Sequence, residues 1–308
     1  MIAGMHVVTG VFSFTGRFIA EELLARGEAV KTLSRRPDPA HPLSARVGFG
    51  RLRFDEAALA AELRGASTLY NTYWIRFPRG AVTWDTVVAY TRTLLRAARA
   101  AGVERIVHFS VANAAEDSPF GYFRAKAQTE GEVRDSGLAY EILRPTLIVG
   151  PDDVLLNNIA WALRRLPLFP IAGDGGYRVQ PITATDVARI AVVSGREARG
   201  RTFDVAGPEA ITFESLVRAI RGAVGARARI VHVPTPVARA LARAAGRVLR
   251  DVVVTSDELD ALTSERLVSV EPPLGTTRFD EWLRGEADAL GKAFVSDRRR
   301  HWKEEPTP

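Results

Sequence analysis

Residues 6–20, HVVTGVFSFTGRFIA, carry the pattern on which the fold prediction rests. A short apolar run from Met5 to Val8 is followed by Thr9-Gly10 and then by Gly16. The apolar side chains after Gly16 recur at helical spacing, so the pattern predicts a strand, a tight turn and a helix. Glycines let such a turn approach a ligand, and the first helical N–H groups point at it with the positive end of the helix dipole. We expect a pyrophosphate here. The spacing differs from G-x-G-x-x-G because Ser13 stands at the middle position, and an ordinary turn stays an alternative.

Strands and helices alternate through the first 150 residues. The sequence predicts further strands at 28–34, 51–54, 69–74, 103–109 and 140–143, with helices at 56–63 and before Gly102. This alternation favours a parallel sheet with helices on both faces. We therefore expect an α/β protein with a Rossmann-type doubly wound sheet, whose nucleotide-binding domain covers residues 1–150.

The second half of the chain has a different pattern. A strand at 202–206 is expected to rejoin the first sheet, so that residues from about 177 to 207 return to the first domain. The rest of 151–308 is expected to form a smaller α/β region that binds a substrate or a partner. A predicted helix at 235–250 carries a stripe of four arginines: Arg239, Arg243, Arg247 and Arg250. Such stripes are typical of solvated faces, and contact with an anionic lipid surface or an acidic partner stays open.

Composition excludes several classes of function. The 308 residues include no cysteine, which excludes disulfides and thiolate chemistry, and the five histidines are scattered, so that we expect no metal. The net charge is +6, but the arginines lie among acids and are not interleaved with aromatic residues, so we expect no nucleic-acid partner. The sequence shows no signal peptide or membrane-spanning run, and a soluble, cytoplasmic protein is expected. The oligomeric state is not indicated.

The end of the second predicted strand indicates which dinucleotide binds. An acid at this position bonds the ribose 2′-hydroxyl of NAD, whereas an arginine accommodates the 2′-phosphate of NADP. Here Arg35 and Arg36 follow the strand and no acid does, which favours NADP, with NAD as the alternative. Asp55 ends the third predicted strand, where its carboxylate could accept a hydrogen bond from the adenine amino group.

Three further side chains suggest acid–base chemistry beside a nicotinamide. Ser110 ends the fifth predicted strand, where ligands of parallel sheets bind, and Tyr122 and Lys126 lie four residues apart on one helix face. A phenol has a pKa near 10, and an ammonium about 4 Å away at an effective dielectric of ~20 could lower it by up to about three units. Tyr122 could then exchange a proton with a substrate oxygen held by Ser110, while hydride passes to or from the cofactor.

Two simpler interpretations compete with this one. Tyr-x-x-x-Lys occurs by chance in many helices, although Lys126 is one of only four lysines in the chain. Ser110 could instead be a nucleophile paired with His108 on the same strand, but no G-x-S-x-G elbow surrounds it. A histidine inside a buried strand is more often a wall residue.

Several motifs together resemble a known family. TGVFSFTGRFIA, the strand-end Ser110, YFRAK and LRPTLIVGP are similar to the extended and atypical short-chain dehydrogenase/reductases, which use a Ser/Tyr/Lys set with NAD(P). Past residue 151 the chain looks most like the epimerase/dehydratase branch related to the NAD(P)-binding accessory subunit of respiratory complex I. The resemblance covers most of the chain, and its motifs specify the superfamily better than the substrate.

The resemblance implies a role for individual residues. It places Gly10, Ser13, Phe14, Thr15 and Gly16 at the pyrophosphate, Arg35 at the ribose phosphate, Asp55 at the adenine, Tyr73 along the cofactor, and Thr146, Leu147 and Ile148 near the nicotinamide amide. Two features depart from the family pattern. The interval from Ser110 to Tyr122 is shorter than in typical sugar epimerases, and Tyr73 and Trp74 stand where the family usually has small residues.

The expected function follows with one open choice. The chain is interpreted as an NADP-dependent oxidoreductase, or an epimerase that uses its cofactor transiently, acting on a small carbonyl or alcohol. The alternative is a protein that keeps the nucleotide as a structural ligand and works by binding a partner, as the complex I subunit does. A redox-sensing regulator fits less well, because the Tyr-x-x-x-Lys pair is intact.

Overall fold

The structure, a computed structural model, describes residues 4–298. It divides into a first unit of residues 4–145 and 184–205 and a second unit of residues 146–183 and 206–298. The elements in chain order are β1 Met5–Thr9, α1 Phe14–Ala25, β2 Val30–Ser34, β3 Gly48–Arg51, α2 Glu56–Leu63, β4 Ala66–Asn71, α3 Trp84–Ala100, β5 Arg105–Phe109, α4 Gly121–Arg134, β6 Ala139–Pro145, β7 Leu147–Val149, α5 Val154–Arg165, β8 Leu168–Ala172, β9 Arg178–Val179, β10 Pro181–Thr183, α6 Ala184–Arg196, β11 Arg201–Val205, β12 Ile211–Thr212, α7 Phe213–Ala223, β13 Arg229–Val233, α8 Thr235–Leu249, α9 Ser256–Thr263 and α10 Phe279–Glu286.

The first unit is built on a seven-stranded sheet. Its order is β11-β6-β5-β4-β1-β2-β3, and every pair of neighbours is parallel. The strand at 202–206 that the sequence predicts is β11, which pairs with β6. The sheet grows outward from β1 in one direction and from β4 in the other, so the carboxyl ends of these two strands border the crevice where such sheets bind ligands. The predicted Rossmann-type sheet is confirmed.

Apolar side chains of neighbouring strands form the core that holds this sheet. Val7, Leu33, Leu69, Ile106 and Ile142 come from five adjacent strands, and each is fully buried in the same cluster. Burying a side chain of this size stabilises the fold by about 1.5–3 kcal/mol. The core therefore fixes the strand ends that carry the candidate site.

The third strand lies earlier than the sequence predicts. Instead of residues 51–54, β3 covers Gly48–Arg51 and pairs with β2. A Cβ atom at Gly50 would lie 2.6 Å from Lys31 Cε and 2.8 Å from Leu33 Cδ2, so a larger residue there would displace the ends of these two side chains. The prediction was wrong because glycine has low strand propensity.

The fourth strand also ends earlier than predicted. It stops at Asn71, because the backbone N–H groups of Thr72 and Tyr73 donate to the hydroxyl of Thr9 at 2.8 and 3.0 Å. Tyr73 and Trp74 consequently lie in the loop after β4, where ligands of such sheets bind, and not within the strand.

The second unit is a smaller α/β region with its own core. β7 pairs with β10 and β8 with β13 in parallel, whereas β9 and β12 are antiparallel. Its core comes mainly from α5, α7 and α10, with Leu156, Leu216, Ile220 and Leu283 all at most 2% exposed. This agrees with the smaller C-terminal α/β region expected from the sequence.

Candidate functional site

The glycine loop between β1 and α1 has the backbone geometry that a phosphate cradle needs. Gly10 has φ +73°, a conformation that favours glycine, and its carbonyl accepts from the Ser13 hydroxyl at 2.5 Å. A Cβ atom at Gly16 would overlap the same carbonyl oxygen. The loop can therefore lie against the first turn of α1 because residue 16 has no side chain.

The amino end of α1 is open to an anion. Ser13 is the N-cap residue, but its side chain makes no cap hydrogen bond within the described part of the chain, since its hydroxyl is bonded to Gly10. The first N–H groups of the helix, at Phe14, Thr15 and Gly16, have no partner inside the helix. With no acid in the first turn, the helix dipole favours a bound phosphate. These residues fit the pyrophosphate that the sequence predicts.

Arg35 is the residue that the sequence analysis assigns to the ribose phosphate. It follows β2 directly and is exposed, as is Arg36. Burial raises the pKa of Tyr73 to about 12, and the positive charge of Arg35 acts in the opposite direction. The places of Arg35 at the ribose phosphate and of Tyr73 along the cofactor stay predictions.

The structure shows an aromatic cluster next to Asp55 that the sequence patterns did not predict. Phe54 and Tyr90 stack with ring centroids 3.9 Å apart, and Tyr73 contacts Phe54 at 4.8 Å. Asp55 is exposed and caps α2 by accepting from the N–H of Ala58 at 2.8 Å. Tyr90 lies in the middle of α3, and no local pattern links it to Phe54, 36 residues earlier. The role of Asp55 toward adenine stays a prediction.

Lys126 is buried beside the end of β5. Its side chain is 3% exposed, its Nζ donates to the carbonyl of Phe109 at 2.6 Å, and the ring of Trp74 lies 3.9 Å from the same nitrogen. Burial lowers the pKa of Lys126 to about 7, and the nearby Glu130 carboxylate opposes that shift. The charge of this lysine therefore varies in the neutral range of pH.

Ser110 is held by a carboxylate that the sequence analysis did not single out. Its hydroxyl donates to Glu130 at 2.5 Å, and Glu130 is 1% exposed. Arg144 donates to both oxygens of this carboxylate at 2.8 and 2.6 Å, and Arg134 donates to one of them at 2.8 Å. Glu130 follows Lys126 by four residues on the same helix face, which is the signal that could have indicated it.

The structure consequently separates the predicted trio into two contacts. Lys126 reaches the residue before Ser110, while Ser110 itself bonds to Glu130. Glu130 lies eight positions after Tyr122 on α4, which is about 12 Å along the helix axis. The Ser110 hydroxyl donates its one hydrogen bond to Glu130, so toward a substrate it can act only as an acceptor. Its assigned role in holding a substrate oxygen stays a prediction.

His108 is a satisfied wall residue in this structure. Its Nδ1 lies 3.1 Å from Asn71 Nδ2, which is a donor, and its Nε2 lies 3.2 Å from the Thr129 hydroxyl. The arrangement suits a neutral imidazole that accepts at Nδ1 and donates from Nε2. Burial, followed by the charge of Lys126, lowers the pKa of His108 to about 3. The geometry does not favour the His108–Ser110 nucleophile, because Ser110 bonds to Glu130.

Tyr122 lies in a group of three aromatic rings, which we call the aromatic wall: Trp74, Trp84 and Tyr122. The two indoles are stacked at 5.8 Å with an interplanar angle of 20°. The Tyr122 ring stands edge-on to both, at 5.6 Å from Trp74 and 5.7 Å from Trp84. Trp84 begins α3 and is 38 residues from Tyr122 in sequence, so only the tertiary structure shows that they meet.

Thr146, Leu147 and Ile148 belong to the second unit. Thr146 is buried, and its hydroxyl donates to the carbonyl of Gln180 at 2.6 Å. Leu147 and Ile148 start β7, where they pair with residues of β10. Their place near the nicotinamide stays a prediction.

The arginine stripe lies on α8, in the second unit. Arg239 forms an ion pair with Asp260, and Arg243 donates to the hydroxyl of Ser256 at 3.4 Å. Arg247 and Arg250 are exposed. Among residues 4–298, no group of acidic or histidine side chains could hold a metal ion. No helix within the same residues has the length and apolarity needed to cross a bilayer.

Known proteins share both sequence and fold with this chain. A family model of NAD(P)H-binding domains matches residues 10–155. A reductase of Streptomyces griseus that acts on (4-alkanoyl-5-oxo-2,5-dihydrofuran-3-yl)methyl phosphate is 31% identical over 245 residues, which cover 76% of this chain and 79% of that protein. The mitochondrial NADH dehydrogenase (ubiquinone) 1 alpha subcomplex subunit 9 of Arabidopsis thaliana is 25% identical over 283 residues, which cover 85% of this chain and 70% of that protein.

A solved structure shows the same architecture with a dinucleotide bound. The triphenylmethane reductase of Citrobacter sp., crystallised with NADP(H), superposes with a TM-score of 0.74 at 20% identity and covers 92% of this chain and 99% of that one. At this identity the likeness concerns the fold alone.

Proposed function

The chain belongs to the NAD(P)H-binding extended and atypical short-chain dehydrogenase/reductases, near the complex I accessory branch, and we propose that it is an NADP(H)-dependent oxidoreductase or epimerase. Its substrate is proposed to be a small carbonyl or alcohol. The observation that carries the proposal is Lys126, buried one helical turn after Tyr122 and bonded to the carboxyl end of β5. In this fold, ligands bind at that end of the sheet.

The proposed mechanism assigns the proton to Tyr122. When bound, NADP(H) supplies or accepts the hydride at its nicotinamide. Tyr122 gives a proton to the substrate oxygen in reduction and takes one in oxidation. Protonated Lys126 makes the phenol more acidic, and because its own pKa is about 7, this help varies with pH in the neutral range. The loop residues Gly10 and Gly16 let the backbone hold the pyrophosphate.

Cofactor preference is proposed to depend on Arg35. A ligand that binds only the folded state stabilises it by RT ln(1 + [L]/Kd), about 2.7 kcal/mol at a hundredfold excess over Kd. We expect NADPH to raise the melting temperature more than NADH does, and Arg35→Ser to remove that difference. Arg64→Ser changes another exposed arginine, at the end of α2, and is the control. Equal shifts with both nucleotides in the wild type would remove the argument from Arg35.

Catalysis by Tyr122 is tested by its removal. NADPH oxidation is measured over a panel of carbonyl compounds for the wild type and for Tyr122→Phe, and we expect the variant to lose at least about 100-fold in kcat/KM. Tyr177→Phe is the control, because the Tyr177 hydroxyl is buried without a partner among the described residues. If Tyr122→Phe were as active as the wild type, Tyr122 would not be the acid.

A second candidate function is a nucleotide-binding accessory protein that works through a partner. The named role of the Arabidopsis thaliana relative and the surface of α8 favour it: among the described side chains of α8 none is buried, and Val248 is 82% exposed. The test compares sedimentation with vesicles of phosphatidylglycerol and of phosphatidylcholine. If the wild type binds the anionic vesicles and Arg247→Glu does not, α8 forms a peripheral lipid contact. If the protein sediments equally with both kinds of vesicle, α8 gives no support to the second candidate function.

A further inference from the structure

The aromatic wall is built differently from an ordinary packed core. All three rings are partly exposed, although they contact one another closely. The indole N–H of Trp74 is buried and has no hydrogen-bond partner among the described residues. A buried donor left without a partner is costly, and in native proteins such a group commonly marks a place where a ligand or water binds.

The glycine at position 121 allows the Trp84 ring to pack close to the backbone of α4. A Cβ atom at Gly121 would lie 2.7 Å from Trp84 Nε1 and 3.0 Å from its Cδ1, so the Trp84 indole can lie against the residue before Tyr122 only because that residue is glycine. Lys126 also contacts Trp74, with its Nζ 3.9 Å from the ring centroid. Trp84, Trp74 and the proposed acid are therefore fixed relative to one another by contacts within the first unit.

We propose that Trp74 and Trp84 select carbonyl substrates whose C=O group is attached to a flat aromatic ring, and this inference rests on the proposed function. Two indole rings beside the proton donor offer an apolar surface on which a second flat ring can stack or stand edge-on, and aromatic pairs gain free energy beyond the area that they bury. A saturated ring of the same size presents no flat face and gains less. The buried N–H of Trp74 would gain a partner from a ring that inserts beside it with an acceptor oxygen, such as a methoxy group.

The reaction balances with the groups already named. The carbonyl carbon of the aryl ketone gains a hydride from NADPH, the π pair of the C=O bond moves to the oxygen, and this oxygen takes the Tyr122 proton. The products are the secondary alcohol and NADP⁺, and Tyr122 regains a proton from water.

The test compares two ketones that differ in ring flatness. Acetophenone and cyclohexyl methyl ketone carry the same acetyl group on rings of six carbons, and kcat/KM is measured for both with NADPH. We expect the wild type to prefer acetophenone by about tenfold, chiefly through KM, and both Trp84→Leu and Gly121→Ala to bring the ratio close to one. Trp161→Leu, which removes an indole from the second unit, should keep the ratio. An unchanged ratio in Trp84→Leu, or no preference in the wild type, would overturn the inference.

Trp74→Phe examines the unpartnered N–H separately from the ring. This variant keeps an aromatic face, so it should still prefer acetophenone over the cyclohexyl ketone. It should lose, however, any gain that the wild type shows for 4-methoxyacetophenone over 4-methylacetophenone. Equal gains in the wild type and the variant would contradict the role of the N–H.

Equilibrium binding separates this inference from the proposed function. Calorimetric titration of both ketones into the full chain with NADP⁺ present does not require turnover. If the wild type reduces neither ketone but binds acetophenone more tightly, and Trp84→Leu loses the difference, the wall binds flat rings, and the result counts against the reduction of these ketones but not against the wall. If neither ketone binds, or both bind equally, the inference about the wall is wrong.

Discussion

Lys126 shows how strongly one buried residue can depend on its surroundings. It lies under Trp74 and against the Phe109 carbonyl, so its ammonium has lost most of its water. Burial is the main cause of its lowered pKa, and the nearby Glu130 carboxylate reduces the shift. Tyr122 is one helical turn away, so the same burial that holds Lys126 in place also makes its charge sensitive to pH.

The lowered pKa of Lys126 predicts a dependence of stability on pH. Between about pH 7 and pH 10.5 the unfolded chain holds a proton on this lysine that the folded chain has lost, so the free energy of unfolding rises with pH by up to about 1.4 kcal/mol per unit. Urea denaturation from pH 7 to 9.5 should show this rise in the wild type and a weaker one in Lys126→Met. Parallel curves for the two proteins would mean that the buried lysine keeps its proton.

His108 predicts the corresponding effect in acid. Its folded-state pKa is about 3, whereas an unfolded histidine titrates near 6.5. Between these values only the unfolded chain binds the proton, so stability should fall as the pH is lowered from 6.5 toward 3. In denaturation experiments at pH 6.5, 5.5 and 4.5, the free energy of unfolding should change less with pH for His108→Gln than for the wild type. The opposite order would show that His108 is charged in the folded state.

At the scale of single elements, two helical glycines differ in whether a side chain could replace the hydrogen atom. A methyl group at Gly16 would meet the Gly10 carbonyl, whereas no described atom lies within 4 Å of a Cβ built at Gly222, on the exposed side of α7. Gly16→Ala should destabilise the protein and reduce its thermal shift with NADPH. Gly222→Ala should stabilise it by up to about 1 kcal/mol, because alanine favours helix over glycine.

Differential scanning fluorimetry of these two variants, with and without NADPH, measures both effects. The thermal shift that NADPH gives should be the same for Gly222→Ala and the wild type. A normal NADPH shift in Gly16→Ala would show that α1 can move away from the loop without loss of the cradle.

At the scale of the whole molecule, residues distant in sequence complete the first unit. β11 covers the edge strand β6, and α6 packs against Tyr70, whose hydroxyl would lie 2.6 Å from a Cβ atom at Gly195. A fragment of residues 1–150 lacks both elements, so it exposes an unpaired strand edge and the fully buried Tyr70.

This fragment should therefore fail to unfold cooperatively. Circular dichroism during urea denaturation should give a broad transition for residues 1–150 and a sharp one for the full chain, and the fragment should bind the dye ANS. A sharp transition and no dye binding would show that the nucleotide-binding domain folds without α6 and β11.

The amino-acid sequence alone determined the alternation of strands and helices in the first unit, the α/β class and the loop from Gly10 to Gly16. These depend on local patterns, since the spacing of apolar residues and the positions of glycines act within a few residues. The strand at 48–51 was not predicted because glycine has low strand propensity, and its pairing with β2 is set by residues distant in sequence.

Tertiary structure alone decided which side chains meet. Ser110 turns to Glu130, Tyr122 stands against Trp74 and Trp84, and Lys126 loses its water, because residues far apart in sequence are packed around each of them. Hydrogen bonds, ring contacts and desolvation act over a few ångströms in space, and the spacing of residues along the chain does not encode those distances.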